Sequence, residues 1–176
     1  MKYKCILADP PWYERGGGKI KRGADRHYPL MKTSEIIKLS DMVQTLADDS
    51  CHLYLWTTNN FLKDALTVSD TWGFRYITMI TWAKDRIGLG QYFRGQTEHC
   101  LFCVRGKLPA VDKSTTLLIA PRRKHSEKPD QMYNIIETVS PGPRIELFAR
   151  TKREGWDSWG NELPNTVQKT FGRLTE

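Results

Sequence analysis

Four consecutive residues near the start of the chain, Asp9-Pro10-Pro11-Trp12, carry the groups needed to methylate the exocyclic amine of a nucleobase. The lone pair of that amine is delocalised into the ring, so the amine is a poor nucleophile until hydrogen-bond acceptors polarise it. Asp9 can accept one amine proton, and the Pro10 carbonyl, with no competing N–H beside it, can accept the other. Pro10 and Pro11 stiffen the backbone before substrate binds, and Trp12 offers a stacking face. The competing interpretation is a rigid turn without catalytic function.

The elements that must position this tetrad follow from the hydrophobic pattern. An apolar strand is predicted over Tyr3–Ala8, and the alternation of apolar runs with helical patterns predicts a mostly parallel α/β sheet. Further strands are predicted over residues 51–56, 74–82, 98–104 and 117–120, and the last clear strand over 145–149. Helices are predicted from a cap at Thr33 or Ser34, from Asn59 or Asn60 to near Gly73, and from Lys128 to about Val139 with Pro129 in the first turn.

The second half of the chain offers side chains that could hold a nucleotide-like cofactor. A glycine-rich phosphate loop is not recognisable, because Gly88-x-Gly90 lacks the spacing and the strand-to-helix setting of a dinucleotide fingerprint. Glu146 could bridge two ribose hydroxyls, Lys128 could hold a carboxylate, and Asn161 could complete the ribose contacts. Each of them alone could equally be an ordinary surface residue, but strand ends and helix starts are where α/β folds bind ligands.

Composition and charge limit the class of protein. The chain has 176 residues, which predicts a single domain over 1–176, and its 39% hydrophobic content is that of a globular protein. Its net charge of +7 favours a nucleic-acid partner, although the same charge could serve solubility alone. The apolar run after Lys4 is too short for a signal peptide or a membrane span, so we expect a cytoplasmic protein without a membrane partner.

The four cysteines are expected to be buried, reduced and free of metal. A reducing compartment fits this number without a disulfide framework. Cys100 and Cys103 lie three residues apart in a predicted strand, so their thiols should point to opposite faces of the sheet. No second cysteine pair completes a zinc site, and the four histidines show no ligand spacing.

Taken in order, several separated motifs resemble the MT-A70 family of adenosine N6-methyltransferases, in its compact bacterial or phage form. The resemblance runs from Tyr3 to about Leu163. The matching pieces are Ala8-Asp9-Pro10-Pro11-Trp12, His27-Tyr28-Pro29-Leu30-Met31, Leu53-Tyr54-Leu55-Trp56, Ile80-Thr81-Trp82-Ala83-Lys84, Glu98-His99-Cys100-Leu101, His125-Ser126-Glu127-Lys128-Pro129-Asp130, Ile145-Glu146-Leu147-Phe148-Ala149-Arg150 and Trp156-Asp157-Ser158-Trp159-Gly160-Asn161.

The resemblance implies a Rossmann-like, S-adenosylmethionine-dependent methyltransferase with permuted motif order, in which the catalytic motif precedes the cofactor-binding segments. It assigns catalysis to Asp9, Pro10, Pro11 and Trp12, the base pocket to Trp12, Tyr28, Trp56, Trp82 and Glu98, and the cofactor to Asp9, Lys128, Glu146, Phe148, Arg150 and Asn161. Residues 13–27 and 84–96 match the mobile gates that flank this family's active site. No metal is implied.

We therefore expect direct methyl transfer to the 6-amino group of a flipped-out adenine in DNA. RNA is the main competing substrate, because DNA and RNA present the same adenine edge. Two different functions would also fit the residues: a catalytically silent nucleic-acid-binding subunit of a methyltransferase complex, and a small-molecule or protein amine methyltransferase. A homodimer or a partner subunit is compatible with the sequence.

Overall fold

The computed structural model describes residues 1–13, 30–90, 92–124, 127–160 and 163. Seven strands and four helices occur in these ranges, with a single 3₁₀ turn at Asn59–Phe61. The strands are β1 (Tyr3–Ala8), β2 (Ala47–Thr57), β3 (Arg75–Ala83), β4 (Thr97–Arg105), β5 (Leu117–Ile119), β6 (Arg144–Leu147) and β7 (Asp157–Trp159). The helices are α1 (Thr33–Ile37), α2 (Ser40–Leu46), α3 (Leu62–Thr71) and α4 (Gln131–Val139).

All seven strands form one sheet in the order β5-β3-β4-β2-β1-β6-β7. Strand β4 is antiparallel to both of its neighbours, and every other neighbouring pair is parallel. Six strands therefore end, and β4 begins, at the same edge of the sheet, which we call the carboxyl edge. This confirms the predicted mostly parallel α/β sheet and the Rossmann-like fold class, whose ligands bind outside the carboxyl ends of the strands.

Helices cover both faces of the sheet, as a buried parallel sheet requires. On one face, Ile6 of β1 belongs to a core cluster with Ile36 of α1 and Val68 of α3. On the other face, Leu7 belongs to a second cluster with Ile136 of α4. Successive residues of β1 thus serve opposite cores, which explains why its sequence is almost continuously apolar.

The helix predicted after Thr33 or Ser34 is divided into α1 and α2. Its cap is Lys32, whose backbone N–H donates to the Glu35 carboxylate at 2.6 Å. The Thr33 hydroxyl does not cap, because it donates instead to Asp64 of α3 at 2.9 Å. The predicted cap was therefore wrong, since a tertiary contact competes for the threonine side chain.

The next helix begins later than predicted and ends where predicted. Asn59 lies in the 3₁₀ turn, and its side chain bonds His99 and Thr97 of β4 instead of capping α3, which begins at Leu62. Gly73 follows α3 with φ +85°, a left-handed conformation in which glycine is favoured at a helix end. The predicted stop near Gly73 is confirmed.

The last third of the chain differs from the predicted pattern at its boundaries. Helix α4 begins at Gln131, so Pro129 precedes it and contributes a carbonyl that accepts the Met132 N–H at 3.0 Å. Strand β6 ends at Leu147, two residues earlier than predicted, because Phe148 adopts a left-handed φ of +63°. Strand β7 was not predicted, and its three residues are too few to show a period in sequence.

The predicted burial of the four cysteines and the opposite faces of Cys100 and Cys103 are confirmed. All four cysteines are buried and free, with Cys100 in the α4-side core and Cys103 in the opposite core. Over the described ranges no group of three or more His, Cys, Asp or Glu side chains is placed to hold a metal ion. None of the helices in the same ranges is both long and apolar enough to cross a membrane.

Candidate active site at the carboxyl edge of the sheet

The Asp-Pro-Pro-Trp tetrad leaves the carboxyl end of β1 as a closely bonded turn. The Trp12 N–H donates to the Pro10 carbonyl at 2.9 Å, and the Met31 N–H donates to the Pro11 carbonyl at 2.7 Å. The expectation that the Pro10 carbonyl has no competing N–H is therefore wrong. The same bond fixes the direction of that carbonyl and leaves it one lone pair for a substrate.

The Trp12 side chain is an anchor of this turn. Its indole is only 7% exposed, and its Nε1 donates to the Trp56 carbonyl of β2 at 3.0 Å. One ring face stacks on Phe61, with centroids 5.5 Å apart and planes 23° from parallel. Trp12 therefore ties the tetrad to the neighbouring strand, and its Phe61 side has no room for a base.

Four charged side chains of alternating sign form an array beside the tetrad. The Lys128 ammonium lies 2.8 Å from Oδ2 of Asp9 and 3.4 Å from Oε1 of Glu98. Lys84 completes the array, with its ammonium 2.7 Å from Oε2 of Glu98. These residues come from the ends of β1 and β3, the start of β4 and the loop before α4, which the strand order brings together at the carboxyl edge.

The array keeps its charges although it is largely buried. Burial by itself would raise the pKa of Glu98, but Lys128 and Lys84 hold that pKa below its ordinary value. Burial would likewise lower the pKa of Lys128, and Asp9 and Glu98 instead raise it. Opposite charges at this distance in a partly dry site favour the ionised forms of both partners.

Two buried indoles form the floor under the two lysines. Lys128 Nζ lies 5.3 Å from the ring centroid of Trp56, and Lys84 Nζ lies 4.7 Å from that of Trp82. The two rings meet edge to face at 6.3 Å, and Trp82 Nε1 donates to the Ala120 carbonyl at 2.8 Å. Cation–π attraction therefore adds to the ion pairs in holding the ammonium groups.

A third acidic group, Glu146 of β6, lies close to the array. The Tyr133 hydroxyl of α4 is 3.0 Å from both carboxylate oxygens of Glu146. The pKa of Glu146 is raised to about 7, chiefly by burial and also by the Asp9 charge, while the Tyr133 hydrogen bond acts in the opposite direction. A carboxyl group with this pKa changes its charge within the physiological pH range.

Tyr133 is itself held by an ion-pair network. The Arg153 guanidinium lies 3.7 Å from the Tyr133 ring centroid and pairs with Asp130. Asp130 also pairs with Arg123 at 2.5 Å. The basic run that contains Arg153 thus connects the β6–β7 loop to the start of α4.

The turn after β6 requires an exceptional backbone. Phe148 has a left-handed φ and packs its ring edge to face on Trp159, with centroids 5.7 Å apart. Gly160 follows β7 so closely that a Cβ there would lie 2.3 Å from the Ala149 carbonyl oxygen. Trp159 Nε1 is buried and has no hydrogen-bond acceptor within the described ranges.

The structure brings most of the predicted site residues together. Direct contacts join Asp9, Trp12, Trp56, Trp82, Glu98 and Lys128, and Glu146, Phe148 and Arg150 lie at the end of the neighbouring strand. Tyr28 and Asn161 lie outside the described residues, as does most of the first predicted gate.

Three site residues were not predicted. Lys84 directly follows a strand at the carboxyl edge, a position that could have identified it. Tyr133 and Phe61 have no such signal, because their roles depend on how α4 and the 3₁₀ turn are packed against the sheet.

Comparison with known proteins identifies the family of this chain. The MT-A70 family profile matches residues 3–162. The chain is 34% identical to the type II methyltransferase M.MunI of a Mycoplasma species, over 99% of this chain and 84% of that protein. It is 30% identical to the N(6)-adenosine-methyltransferase catalytic subunit METTL3 of Homo sapiens and 32% identical to a putative N(6)-adenosine-methyltransferase MT-A70-like protein of Medicago truncatula, over 92% of this chain in both. The chain spans 28% and 26% of those two proteins.

The tetrad, the charge array and the β6 acid all lie within the residues that the family profile matches. The resemblance inferred from the motifs is confirmed, and the chain belongs to the MT-A70 family.

Proposed function

We propose that this protein is an S-adenosylmethionine-dependent methyltransferase that modifies the 6-amino group of adenine in DNA. The METTL3 and Medicago relatives are named as N(6)-adenosine-methyltransferases, and M.MunI is named as a type II methyltransferase. We further propose that the whole chain works as one catalytic domain.

The observation that carries the proposal is the environment of Asp9. Lys128 holds one carboxylate oxygen, and Oδ1 of Asp9 has no donor within the described ranges. The Pro10 carbonyl next to it retains one lone pair after bonding Trp12. Two fixed acceptors on adjacent residues match the two protons of an exocyclic amine.

In the proposed mechanism Asp9 Oδ1 and the Pro10 carbonyl accept hydrogen bonds from the two N6–H groups of the adenine. Both acceptors are oriented before the substrate arrives, so little reorganisation accompanies the reaction. The positive charge that develops on the nitrogen is stabilised by the Asp9 carboxylate at Oδ1, and one N6 proton then passes through that carboxylate to solvent. Losing one such oriented group typically costs on the order of 100-fold in rate.

The donor set around the site fits S-adenosylmethionine. Lys128 has the charge to bind the cofactor carboxylate, and it would do so while still contacting Asp9 and Glu98. Glu146 has two oxygens for a ribose diol, and the buried Trp159 Nε1 is a donor that lacks an acceptor within the described ranges. Phe148 and Arg150 would adjoin the same ligand, and Asn161 would complete the ribose contacts. When bound, this cofactor supplies a methyl group on a sulfonium, a good leaving group, so transfer needs neither a metal nor a covalent enzyme intermediate.

The base pocket would be bounded by Trp12, Trp56, Trp82 and Glu98, and the family resemblance adds Tyr28, which lies outside the described residues. Both tryptophans of the sheet are buried, so they act as a rigid wall of the pocket. In a duplex the adenine must leave the stack to reach it, which costs a few kcal/mol.

DNA is the proposed substrate because the chain matches M.MunI over 84% of that protein, whereas it spans about a quarter of the eukaryotic relatives. RNA is the alternative, because the eukaryotic relatives are named for adenosine. A positive net charge of +7 supports either polyanion over a small-molecule substrate. With this substrate we expect action in the cytoplasm of a bacterium or of a phage-infected cell, as a homodimer or with a partner subunit if a second chain is required.

A methyl-transfer assay with purified protein tests the proposal. Labelled S-adenosylmethionine is incubated with unmodified duplex DNA, single-stranded DNA or RNA, and the products are digested to nucleosides and identified by mass. The test variant is Asp9→Asn. Its matched control is Asp112→Asn, at an exposed position away from the carboxyl edge.

We expect N6-methyladenine in DNA with the wild type and with Asp112→Asn, and its loss with Asp9→Asn. The same product in RNA alone would overturn the substrate and keep the mechanism. Cofactor binding without transfer to any nucleic acid would instead favour the function of a silent subunit.

A further inference from the structure

The loop between β3 and β4 exposes an unusual number of large apolar side chains. Leu89, Tyr92 and Phe93 are 80%, 95% and 91% exposed, and Ile87 is 57% exposed. We call this segment, residues 85–90 and 92–96, the aromatic finger. Single exposed apolar residues are ordinary, but a group of four marks a binding surface.

The shape of the aromatic finger is set by its own backbone. The Gly88 N–H donates to the Gly95 carbonyl at 2.6 Å, and the Gly95 N–H donates to the Leu89 carbonyl at 3.2 Å. The Arg94 Nε donates across the finger to the Gly88 carbonyl at 3.0 Å. Gly90 is required in this turn, because a Cβ there would lie 1.9 Å from the Phe93 carbonyl oxygen.

The aromatic finger begins and ends at the candidate active site. The Lys84 N–H donates to the Gln96 carbonyl at 2.9 Å, and the Gln96 side chain returns a bond to the Lys84 carbonyl at 2.9 Å. Lys84 is the outer cation of the charge array, 2.7 Å from Glu98. A ligand bound in the site would therefore lie next to the finger.

The charge around the finger suits a polyanion. Arg86 has a side chain that is 81% exposed, and its Nε lies 3.5 Å from Oδ2 of Asp85, so the other guanidinium nitrogens face solvent. Asp85 accepts the Arg122 N–H at 2.7 Å, which brings the exposed basic run of residues 122–124 to the base of the finger. An apolar protein partner would gain little from these cations, whereas a nucleic acid offers both phosphates and flat base faces.

We propose that the aromatic finger contacts the nucleic acid beside the target adenine, with Tyr92 and Phe93 stacking on the neighbouring bases. The inference rests on the proposed function and adds to it a site for the flanking nucleotides. Stacking on these rings replaces the neighbour contacts that the bases lose when the adenine leaves the stack. Arg86 and the basic run hold the adjoining phosphates.

Fluorescence anisotropy with labelled single-stranded and duplex DNA tests the inference without requiring catalysis. We expect the double variant Tyr92→Ala/Phe93→Ala to bind about 10- to 100-fold more weakly, as loss of one or two stacking contacts predicts. Its salt dependence should match that of the wild type, because no phosphate contact is removed. Arg86→Gln should instead reduce the slope of log affinity against log salt by about 1.

The matched control is Tyr76→Ala, an exposed tyrosine near the start of β3 at the opposite edge of the sheet. It should bind DNA like the wild type. Methyl transfer to genomic DNA and light scattering are measured on every variant, so that catalysis and oligomeric state are followed separately.

The outcomes separate this inference from the proposed function. If the wild type methylates DNA and the double variant binds like the wild type, the finger contact is overturned and the function stands. If the wild type transfers no methyl group but the double variant binds more weakly, the contact stands and the function fails. Absence of binding by the wild type, or a change of oligomeric state at unchanged affinity, would overturn the nucleic-acid contact.

Discussion

The ammonium of Lys128 lies between Asp9 and Glu98, 2.8 Å from Oδ2 of the first and 3.4 Å from Oε1 of the second. One cation therefore joins the acid of the tetrad on β1 to the acid at the start of β4. Because Lys84 pairs with the far oxygen of Glu98, the position of Asp9 depends on three other side chains, Lys128, Glu98 and Lys84, from different parts of the chain.

Replacing Asp9 by Asn should lower the rate of methyl transfer by on the order of 100-fold or more, because an oriented anionic acceptor is lost. Folding should be retained, since Lys128 keeps its ion pair with Glu98. Single-turnover kinetics measure the loss, and circular dichroism checks the fold. Transfer at the wild-type rate by a folded Asp9→Asn protein would exclude the tetrad mechanism.

Cofactor binding should strengthen as the pH rises through about 7. The pKa of Glu146 is raised to about 7 by burial, and only its ionised form accepts hydrogen bonds from two ribose hydroxyls. One pH unit below that midpoint the affinity should be about 10-fold lower than its plateau. Calorimetric titration with S-adenosylhomocysteine between about pH 6 and about pH 8 measures this dependence.

Two variants identify Glu146 as the titrating group. Tyr133→Phe should move the midpoint to higher pH, because the Tyr133 hydrogen bond lowers the pKa of Glu146. Glu146→Gln should weaken binding and remove the pH dependence. A midpoint that is the same in all three proteins would assign the dependence to another group.

The raised pKa of Glu146 also affects folding stability, and this effect has the opposite pH dependence to cofactor binding. The folded protein holds the Glu146 proton up to about pH 7, whereas the unfolded chain releases it near the ordinary value of 4.5. The folded state therefore binds more protons in this window, and the contribution of Glu146 to stability is lost as the pH rises through it.

The sheet and the tetrad could be predicted from the sequence, whereas the contacts among the site residues could be predicted only in part. Strand β1 and the buried cysteines follow from local apolar pattern, which reports burial directly. The predicted helix caps were wrong because the side chains of Thr33 and Asn59 form hydrogen bonds with side chains of distant elements. No local pattern records such a contact.

The site shows the same division between local and tertiary information. Asp9 was identified from its neighbours, but the four-charge array arises only when β4 is inserted antiparallel beside β2. The Trp12 N–H that bonds Pro10 depends on the turn adopted after β1, which two prolines allow but do not specify.

Trp12→Phe should destabilise the protein by about 1–3 kcal/mol, because it removes the buried hydrogen bond to the Trp56 carbonyl while keeping an aromatic ring. Trp72→Phe is the matched control: Trp72 Nε1 also donates to a backbone carbonyl, that of Ile36 at 3.1 Å, away from the carboxyl edge. Chemical denaturation should give similar losses for both variants.

Methyl transfer should distinguish the two tryptophans. Only Trp12→Phe should slow the reaction, since only that indole holds the tetrad against β2. Unchanged stability with weakened DNA binding in Trp12→Phe would show that Trp12 serves as a stacking platform and not as an anchor.

His52 should make the protein less stable in mild acid. Its buried ring donates from Nε2 to the Leu108 carbonyl at 2.9 Å, so Nδ1 accepts from the Ser140 hydroxyl at 2.8 Å. Burial lowers the pKa of His52, whereas the unfolded chain takes up its proton near pH 6.5. The unfolded state then binds more protons, so stability falls as the pH drops below that value, by at most about 1.4 kcal/mol per unit.

Denaturation of wild type and His52→Gln at a series of pH values isolates this contribution from that of Glu146. The difference in unfolding free energy between the two proteins should shrink as the pH falls from about 7.5 to about 5.5. Tyr54→Phe is the control, because it removes the 2.8 Å bond to Ser140 from the same cluster without changing a group that titrates in this range. The loss of unfolding free energy in Tyr54→Phe should not depend on pH. If the loss in His52→Gln is also independent of pH, the buried imidazole of His52 is not the group that links stability to pH.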